Sequence, residues 1–214
     1  LSVIAILFMI VSGMFAASMH CLIRVAALES HPFQIAFFRT LFVLIIFLPV
    51  VMKDGLRSLE IVNKKLQFTR AIVGSGAMCC MIYGISITEL SKATALMFTV
   101  PIFSTILAIL FLKEQVGIRR WTAVFIGFIG TLIVIRPGFL EYNLATFAAL
   151  GTGFCYGFYL IITRKLSTSD NPLLTLLFTG AVGVIILSFF MPSVWINPTP
   201  NQWYLMAIIG LIAS

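Results

Sequence analysis

Charged residues are scarce in this chain of 214 residues: Asp, Glu, Lys and Arg make up 10% of it, against roughly 25% in soluble domains. Hydrophobic residues account for 61%. Such a composition excludes a soluble globular domain, which needs a charged surface, and a disordered segment, which cannot be this apolar. The 14 Lys and Arg are scattered between apolar runs rather than gathered on one face, which excludes a nucleic-acid-binding module.

Acidic residues and cysteines are also few. The chain has seven Asp and Glu, and none of them lies near the middle of a complete apolar run, so it lacks the carboxylate typical of proton-driven carriers. The four cysteines, Cys21, Cys79, Cys80 and Cys155, lie in apolar runs without CxxC spacing or a histidine cluster. We therefore predict free thiols, no metal site and no cofactor.

Long apolar runs are what the chain does contain. They cover residues 1–23, 32–52, 69–87, 91–112, 120–135, 143–163, 172–191 and 203 to the end, which we number spans 1 to 8. A helix needs about 20 apolar residues to cross a bilayer. We predict an all-α polytopic transmembrane helix bundle with seven full spans and part of an eighth. Because the chain begins without Met and stops within an apolar run, we expect it to be a fragment of a longer protein.

Positive charges predict the orientation. The connections after spans 2, 4 and 6 hold most of them, namely Lys53, Arg57, Lys64, Lys65, Arg70, Lys113, Arg119, Arg120, Arg164 and Lys165. The opposite side has Arg24, Lys92 and Arg136. Since Lys and Arg accumulate in cytoplasmic loops, we predict a multi-pass protein of the inner membrane with its amino terminus in the cytoplasm.

The chain also repeats itself. A shift of 140 residues places Gly13 on Gly153, Arg24 on Arg164, Pro32 on Pro172 and Phe38 on Phe178, and a four-residue deletion then places 71–74 on 207–210. We predict a first repeat of five helices at 1–140 and a truncated second repeat at 141–214. Because five is odd, the second copy enters the membrane in the opposite sense. Inverted repeats of this kind are typical of secondary transporters.

Several motifs carry a family resemblance. They are Tyr83-Gly-Ile-Ser-Ile-Thr-Glu-Leu-Ser-Lys-Ala-Thr-Ala95, Pro101-Ile-Phe-Ser-Thr105, Phe111-Leu-Lys-Glu114, and Gly127-Phe-Ile-Gly130 running to Arg136-Pro-Gly138. In order and spacing they resemble the first repeat of the drug/metabolite transporter superfamily, EamA-domain type. Phe37-Phe38-Arg39 matches the family's Arg in span 2, whereas Lys113 stands where the family usually has Gly. Residues 31–39 look closest to the branch of S-adenosylmethionine and riboflavin importers.

The resemblance implies a secondary transporter that moves a small organic metabolite across the cytoplasmic membrane by alternating access. Its partners would be the solute and the lipid bilayer, without nucleic acid, and a homodimer is left open. The alternative is a non-transport membrane protein, either a channel, a structural subunit or an intramembrane hydrolase. Gly74-Ser75-Gly76 lacks the Gly-x-Ser-x-Gly elbow of serine hydrolases, so we do not expect an enzyme.

The resemblance implies, in part, a central cavity for the solute between spans 1, 3, 4 and 6, the truncated span 8 and a missing span 9. The candidate residues supply hydroxyl groups, aromatic faces and a helix kink, and they are Tyr83, Ser86, Thr94, Phe98, Pro101, Tyr156 and Tyr159. Their polar groups would otherwise be unpaired in a costly apolar environment. Pro101 removes a backbone donor and should kink span 4. For each residue, packing in the core is the alternative.

Four further candidates carry charge or titrate. Arg39 lies about 10 Å along span 2 from Pro32. There it contacts an anionic group of the solute, makes a fixed interhelical hydrogen bond or snorkels to the outer surface. His20, toward the outer end of span 1, is a proton relay or a structural hydrogen-bonding residue. Glu89 and Lys92 form a local pair or a gate at the outer mouth.

Overall fold

The computed structural model describes residues 3–54, 63–135, 144–167 and 170–213. These ranges form helices without strands, which confirms the all-α prediction. The helices are α1 (Val3–Ala26), α2 (Pro32–Asp54), α3 (Lys64–Ile87), α4 (Leu90–Met97), α5 (Val100–Leu112), α6 (Ile118–Ile135), α7 (Leu144–Leu166), α8 (Pro172–Ser188), α9 (Met191–Val194) and α10 (Pro200–Ala213).

Five helical segments are long and apolar enough to cross a membrane: Ile6–Ala26, Pro32–Pro49, Lys64–Ile87, Leu90–Leu112 and Leu144–Leu166. The fourth of these contains both α4 and α5. The apolar α8 is shorter, at 17 residues. The chain is therefore a polytopic membrane helix bundle, and spans 1, 2, 3, 4 and 6 of the sequence analysis are confirmed as membrane-length helices.

The packing of α3 against α7 is the most extensive contact between helices. Small residues allow it: a Cβ atom built on Gly84 would lie 2.9 Å from the Cβ of Ala149 and 3.1 Å from its Cα. In a bilayer, helices associate through close van der Waals contact because no hydrophobic force drives them together. The approach of α3 to α7 therefore depends on the missing side chain at Gly84.

Polar contacts join helix ends at both ends of the bundle. At one end, Nη1 of Arg24 donates to the last carbonyls of α3, those of Ile85 (3.0 Å), Ser86 and Thr88 (3.2 Å). A cation at a helix carboxyl end stabilises the helix dipole. At the other end, the carboxylate of Glu114 lies 3.6 Å from both Arg120 and Arg164. These groupings agree with the two sides assigned from the sequence.

Lys113 ends α5 in the left-handed conformation, with φ of 54° and ψ of 30°. It is the one non-glycine residue with positive φ in the described part of the chain. The N–H groups of Lys113 and Glu114 both donate to the carbonyl of Ala108. A side chain in this conformation costs roughly 1–2 kcal/mol, which explains the glycine that the family usually has here.

We expect Lys113→Gly to raise the free energy of unfolding by about 1 kcal/mol, because glycine adopts the left-handed region without strain. Thermal melting of the purified protein in detergent measures the change. Gln115→Gly is the matched control, since Gln115 is exposed in the same connection and lacks a positive φ. It should be neutral or slightly destabilising. A lower melting temperature for Lys113→Gly than for the parent would contradict the prediction.

Candidate functional site

A cavity of about 500 Å³ lies between the helices, and α1, α2, α3, α4, α5, α7, α8 and α10 all contribute to its lining. Most of the lining is apolar. Its polar side chains are His20, Arg39, Thr40, Ser75, Thr152, Tyr156, Tyr159 and Thr179. The cavity therefore brings together four of the predicted site residues, His20, Arg39, Tyr156 and Tyr159.

Two tyrosines of α7 form one wall of the cavity. Tyr156 and Tyr159 lie three residues apart, nearly one helical turn, and their rings stack with centroids 5.5 Å apart and an angle of 19° between the planes. Tyr156 is 43% exposed. The pair offers a flat aromatic surface against which a planar group can pack.

Arg39 of α2 reaches the same cavity. Its Nη1 donates to the sulfur of Met78 at 2.7 Å, and Thr40 Oγ1 donates to the same sulfur at 3.3 Å. A thioether is a weak acceptor. The buried Nε of Arg39 has no hydrogen-bond partner among the described residues. The guanidinium is therefore incompletely satisfied inside the bundle.

Arg70 of α3 is buried beside the cavity, with 4% of its surface exposed. Its Nε donates to Thr163 Oγ1 (2.8 Å), its Nη1 to Thr175 O (3.0 Å) and Thr179 Oγ1 (2.7 Å), and its Nη2 to the hydroxyl of Tyr159 (2.5 Å). The guanidinium carbon also lies 4.5 Å from the centre of the Tyr159 ring. Arg70 thus ties α3 to α7 and α8 and fixes one of the two stacked tyrosines.

Arg70, predicted above to lie in a cytoplasmic connection, is part of α3, so that prediction is wrong. The apolar run of span 3 starts at residue 69, whereas α3 begins at Lys64 and places Arg70 about 9 Å along the helix. Leu66 and Phe68 were the available signal, because they extend the apolar run toward Lys64. Removing Arg70 from the count of connection charges leaves the predicted orientation unchanged.

Tyr83, Ser86 and Thr94 do not line the central cavity. Ser86 Oγ donates to Ile82 O and Thr94 Oγ1 to Leu90 O, each at 2.7 Å, so both hydroxyls are paired within their own helices. Tyr83 packs near Phe33, with ring centroids 6.5 Å apart. The expectation that these polar groups need a wet cavity overlooked the carbonyl four residues earlier, which commonly accepts from Ser and Thr.

Phe98 and Pro101 line a separate cavity of about 310 Å³ between α5 and α6. Span 4 is interrupted here, in agreement with the predicted kink: α4 ends at Met97, and α5 begins at Val100 with Pro101 in its first turn. Met97 and Val100, on either side of the break, line the central cavity instead. The interruption of span 4 therefore lies next to the central cavity, although Phe98 and Pro101 do not line that cavity.

Glu89 and Lys92 form a local ion pair, with 3.0 Å between Nζ and Oε2, at the start of α4. Ser91 also donates to Glu89, at 2.9 Å. The hydrogen bond from Lys92 is the main reason that the pKa of the Glu89 carboxyl lies below its usual value, with Ser91 second. This geometry is that of a local ion pair, which is the first of the two interpretations given above for these residues.

Comparison with known proteins places the chain among transporters. The model of the EamA-like transporter family matches residues 3–136. The S-adenosylmethionine uptake transporter of Rickettsia bellii is 27% identical over 86% of this chain and 63% of its own length. The riboflavin transporter of Brucella anthropi is 27% identical over 84% of this chain and 66% of its own length. Mouse solute carrier family 35 member G1 is 29% identical over 78% of this chain and 50% of its own length.

These matches confirm the resemblance drawn from residues 83–138 and its nearest branch. The chain spans 63% of the length of the Rickettsia transporters that it matches. The matched region contains α1 to α6 within the family model and extends to later helices in the relatives. Most of the elements that line the central cavity therefore come from the part of the chain shared with these transporters.

We expect Arg70→Met to lower the free energy of unfolding by roughly 1–3 kcal/mol, because its partners on α7 and α8 lose a charged donor inside the bundle. Lys65→Met is the matched control, since Lys65 is exposed in the first turn of the same helix. Thermal melting in detergent compares the two. Equal melting temperatures would show that the Arg70 contacts do not hold the three helices together.

Proposed function

Since this chain belongs to the EamA-like transporter family, we propose that it forms part of a secondary transporter for a small organic metabolite. The proposed location is the cytoplasmic membrane, with the amino-terminal end of α1 in the cytoplasm. The proposed mechanism is alternating access by the rocking of two inverted repeats, 1–140 and 141–214, and the proposed activity is transport without catalysis. The observation that carries this proposal is the central cavity.

The size and lining of the cavity suit an organic solute. Its volume of about 500 Å³ is within the roughly 300–1,000 Å³ typical of small-molecule sites. Apolar walls with stacked tyrosines, threonine hydroxyls and one arginine provide the mixture of packing and orienting groups that such sites use. An ion channel would instead need a continuous polar pathway.

Helix packing supports the inverted repeats. In the repeat alignment, α1, α2 and α3 correspond to α7, α8 and α10. If a two-fold axis relates the repeats, each contact between them has an equivalent. The contact of α3 with α7 corresponds to that of α10 with α1, and the contact of α3 with α8 to that of α10 with α2. The contact of α2 with α8 is its own equivalent. All five contacts are present. The cavity lies where these helices meet, as expected for a site at the interface of two repeats.

Two glutamines make related contacts at opposite ends of the bundle. Gln67 of α3 donates to the carboxylate of Asp170 at 2.7 Å, and Gln202 of α10 donates to the carboxylate of Glu29 at 3.0 Å. In the repeat alignment, Gln202 is one position from the equivalent of Gln67. Asp170 falls on the residue after Glu29. We call these two contacts the Asp170 latch and the Glu29 latch; each joins one proposed repeat to the other.

Alternating access requires that the two repeats separate at one end while they stay together at the other. The two latches are placed for this, because the Asp170 latch lies at the predicted cytoplasmic end and the Glu29 latch at the predicted outer end. Gln34 strengthens the outer contact by bonding to the backbone of Ile196 through Nε2 (2.7 Å) and Oε1 (3.3 Å). Both latches are formed in this structure, so the proposed repeats are in contact at both ends of the bundle.

The intact protein, purified and reconstituted in liposomes, should exchange labelled S-adenosylmethionine or riboflavin with unlabelled solute inside, the two solutes named for its relatives. Ala16→Phe should abolish exchange because Ala16 lines the cavity and the ring fills it. Ala17→Phe is the control, since the neighbouring Ala17 is exposed and outside the cavity lining. Equal exchange by the two variants would contradict a role of this cavity in transport.

The latches give a prediction of direction. In a cysteine-free background carrying Val43→Cys in the cavity lining, Gln67→Leu should speed labelling by an impermeant thiol reagent from the cytoplasmic side, and Gln202→Leu from the outer side. Each variant loses a hydrogen bond to a carboxylate, worth about 1.5–3 kcal/mol, which corresponds to a roughly ten- to hundredfold change. Gln67→Leu also loses the bond to Thr175 Oγ1 at 2.9 Å. Gln115→Leu, in an exposed connection, should change neither rate. Acceleration from the same side in both latch variants would refute the proposed alternation.

A further inference from the structure

Arg39 is a cation without an anionic partner in the described structure. The acidic residues in the described ranges all lie at helix ends or in connections, and they are Glu29, Asp54, Glu89, Glu114 and Asp170. The ion pairs of these ranges join Glu89 to Lys92 and Glu114 to Arg120 and Arg164. No carboxylate is part of the cavity lining as described. The field in the cavity is therefore set by a positive charge.

The two arginines next to the cavity differ in how they are satisfied. Arg70 donates hydrogen bonds to two threonine hydroxyls, one backbone carbonyl and one tyrosine hydroxyl. Arg39 donates to a thioether, while its buried Nε donates to no described group. An arginine that serves only to join helices would resemble Arg70, because a buried unsatisfied donor is costly. Arg39 lines a space large enough for a ligand, and its guanidinium has an unsatisfied donor.

The cavity places other groups within reach of a ligand bound at Arg39. Tyr156 and Tyr159 form the stacked pair on α7, and Tyr156 is 43% exposed. Thr179 on α8 and Thr152 on α7 line the cavity as well, although each hydroxyl also donates to its own helix backbone. A hydroxyl that donates in this way keeps lone pairs for a donor on the ligand. The cavity thus combines one cationic position, one aromatic face and several acceptors.

We propose that Arg39 is the anion subsite of this cavity, and that the solute carries an oxyanion, carboxylate or phosphate, together with a planar ring that packs on Tyr156. This rests on the proposed transport function and specifies its substrate class. The guanidinium forms charge-assisted hydrogen bonds with the oxyanion. Burial of the pair away from water makes the interaction selective, because a solute without the anion leaves Arg39 unsatisfied.

Matched pairs of probes test the subsite. S-adenosylmethionine and its decarboxylated form differ in a carboxylate, and flavin mononucleotide and riboflavin differ in a phosphate. Binding to the intact purified protein is titrated by the ligand-dependent shift in melting temperature. In at least one pair the member with the oxyanion should bind at least tenfold more tightly. The pair that shows the preference identifies the oxyanion as carboxylate or phosphate.

Arg39→Gln should reduce that preference to less than threefold while the probe without the anion keeps its affinity. Arg39→Lys, which keeps the charge, should retain part of the preference. Arg119→Gln is the control, since Arg119 is exposed at the start of α6 and should leave both affinities unchanged. Size-exclusion elution and the melting temperature without ligand establish that each variant is folded. If Arg39→Gln does not fold, the comparison of Arg39→Lys with the parent carries the test.

Three results would overturn the subsite. The first is that no oxyanion probe binds more tightly than its partner to the unmodified protein. The second is that Arg39→Gln weakens both members of a pair equally, which makes Arg39 a structural residue. The third is that Arg39→Gln loses stability without a change of preference, as expected if a carboxylate outside these 214 residues pairs with Arg39. Exchange of riboflavin in liposomes would still uphold transport in each case, whereas a failure of all exchange would count against the proposed function itself.

Discussion

The central cavity of this bundle has cations beside it but no carboxylate among the described residues of its lining, and this constraint organises the rest of the structure. Two arginines lie beside the central cavity, while the described acidic residues lie at helix ends and in connections. A guanidinium in an apolar interior must then be satisfied by neutral acceptors or by something that enters from outside. Arg70 is satisfied by neutral acceptors, and in our proposal Arg39 is satisfied by an anion of the solute. Helix association and the proposed ligand recognition would then depend on the same kind of group.

Satisfying Arg70 requires several elements to converge. Its acceptors come from α7 and α8, on both sides of the connection between them, and include a side chain of the stacked tyrosine pair. The same three helices meet through small residues, since Gly183 of α8 lies close to Ser75 of α3 and Gly84 of α3 lies close to Ala149 of α7. Close packing and the buried charge therefore support each other, and Tyr159 in the aromatic wall of the cavity is held by Arg70.

The membrane-length helices were predictable from the sequence because the length of an apolar run is enough to indicate a helix that can cross a bilayer. Spans 1, 2, 3, 4 and 6 appear as membrane-length helices, and the charges of the connections are consistent with the two ends of the bundle. The cavity was only partly predictable. Composition cannot distinguish a threonine that bonds to its own helix from one that faces a cavity, so Thr94 and Thr179 looked alike. Thr94 lies outside the central cavity, and Thr179 lines it and accepts from Arg70.

The depth of a charge was the other property that the sequence could not supply. Arg70 follows Lys64 and Lys65 and was grouped with them, although the first turns of α3 carry it into the bundle. Span boundaries drawn from apolar runs err by about a turn, and one turn separates a solvated arginine from a buried one. The position of Arg39 inside a helix was predictable because it lies seven residues past Pro32, where the apolar run of span 2 begins.

The proposed repeats explain why Arg39 has an unsatisfied donor whereas Arg70 does not. The shift of 140 residues that relates α2 to α8 places Arg39 on Thr179, so a donor in one repeat corresponds to an acceptor in the other. Thr179 lines the cavity and accepts from Arg70. If both repeats had an arginine at this position, the two cations would repel each other, and the cavity would suit a solute with two equivalent anions. Replacement of one arginine by threonine leaves a single cationic position facing an aromatic wall, which matches a solute whose two ends differ.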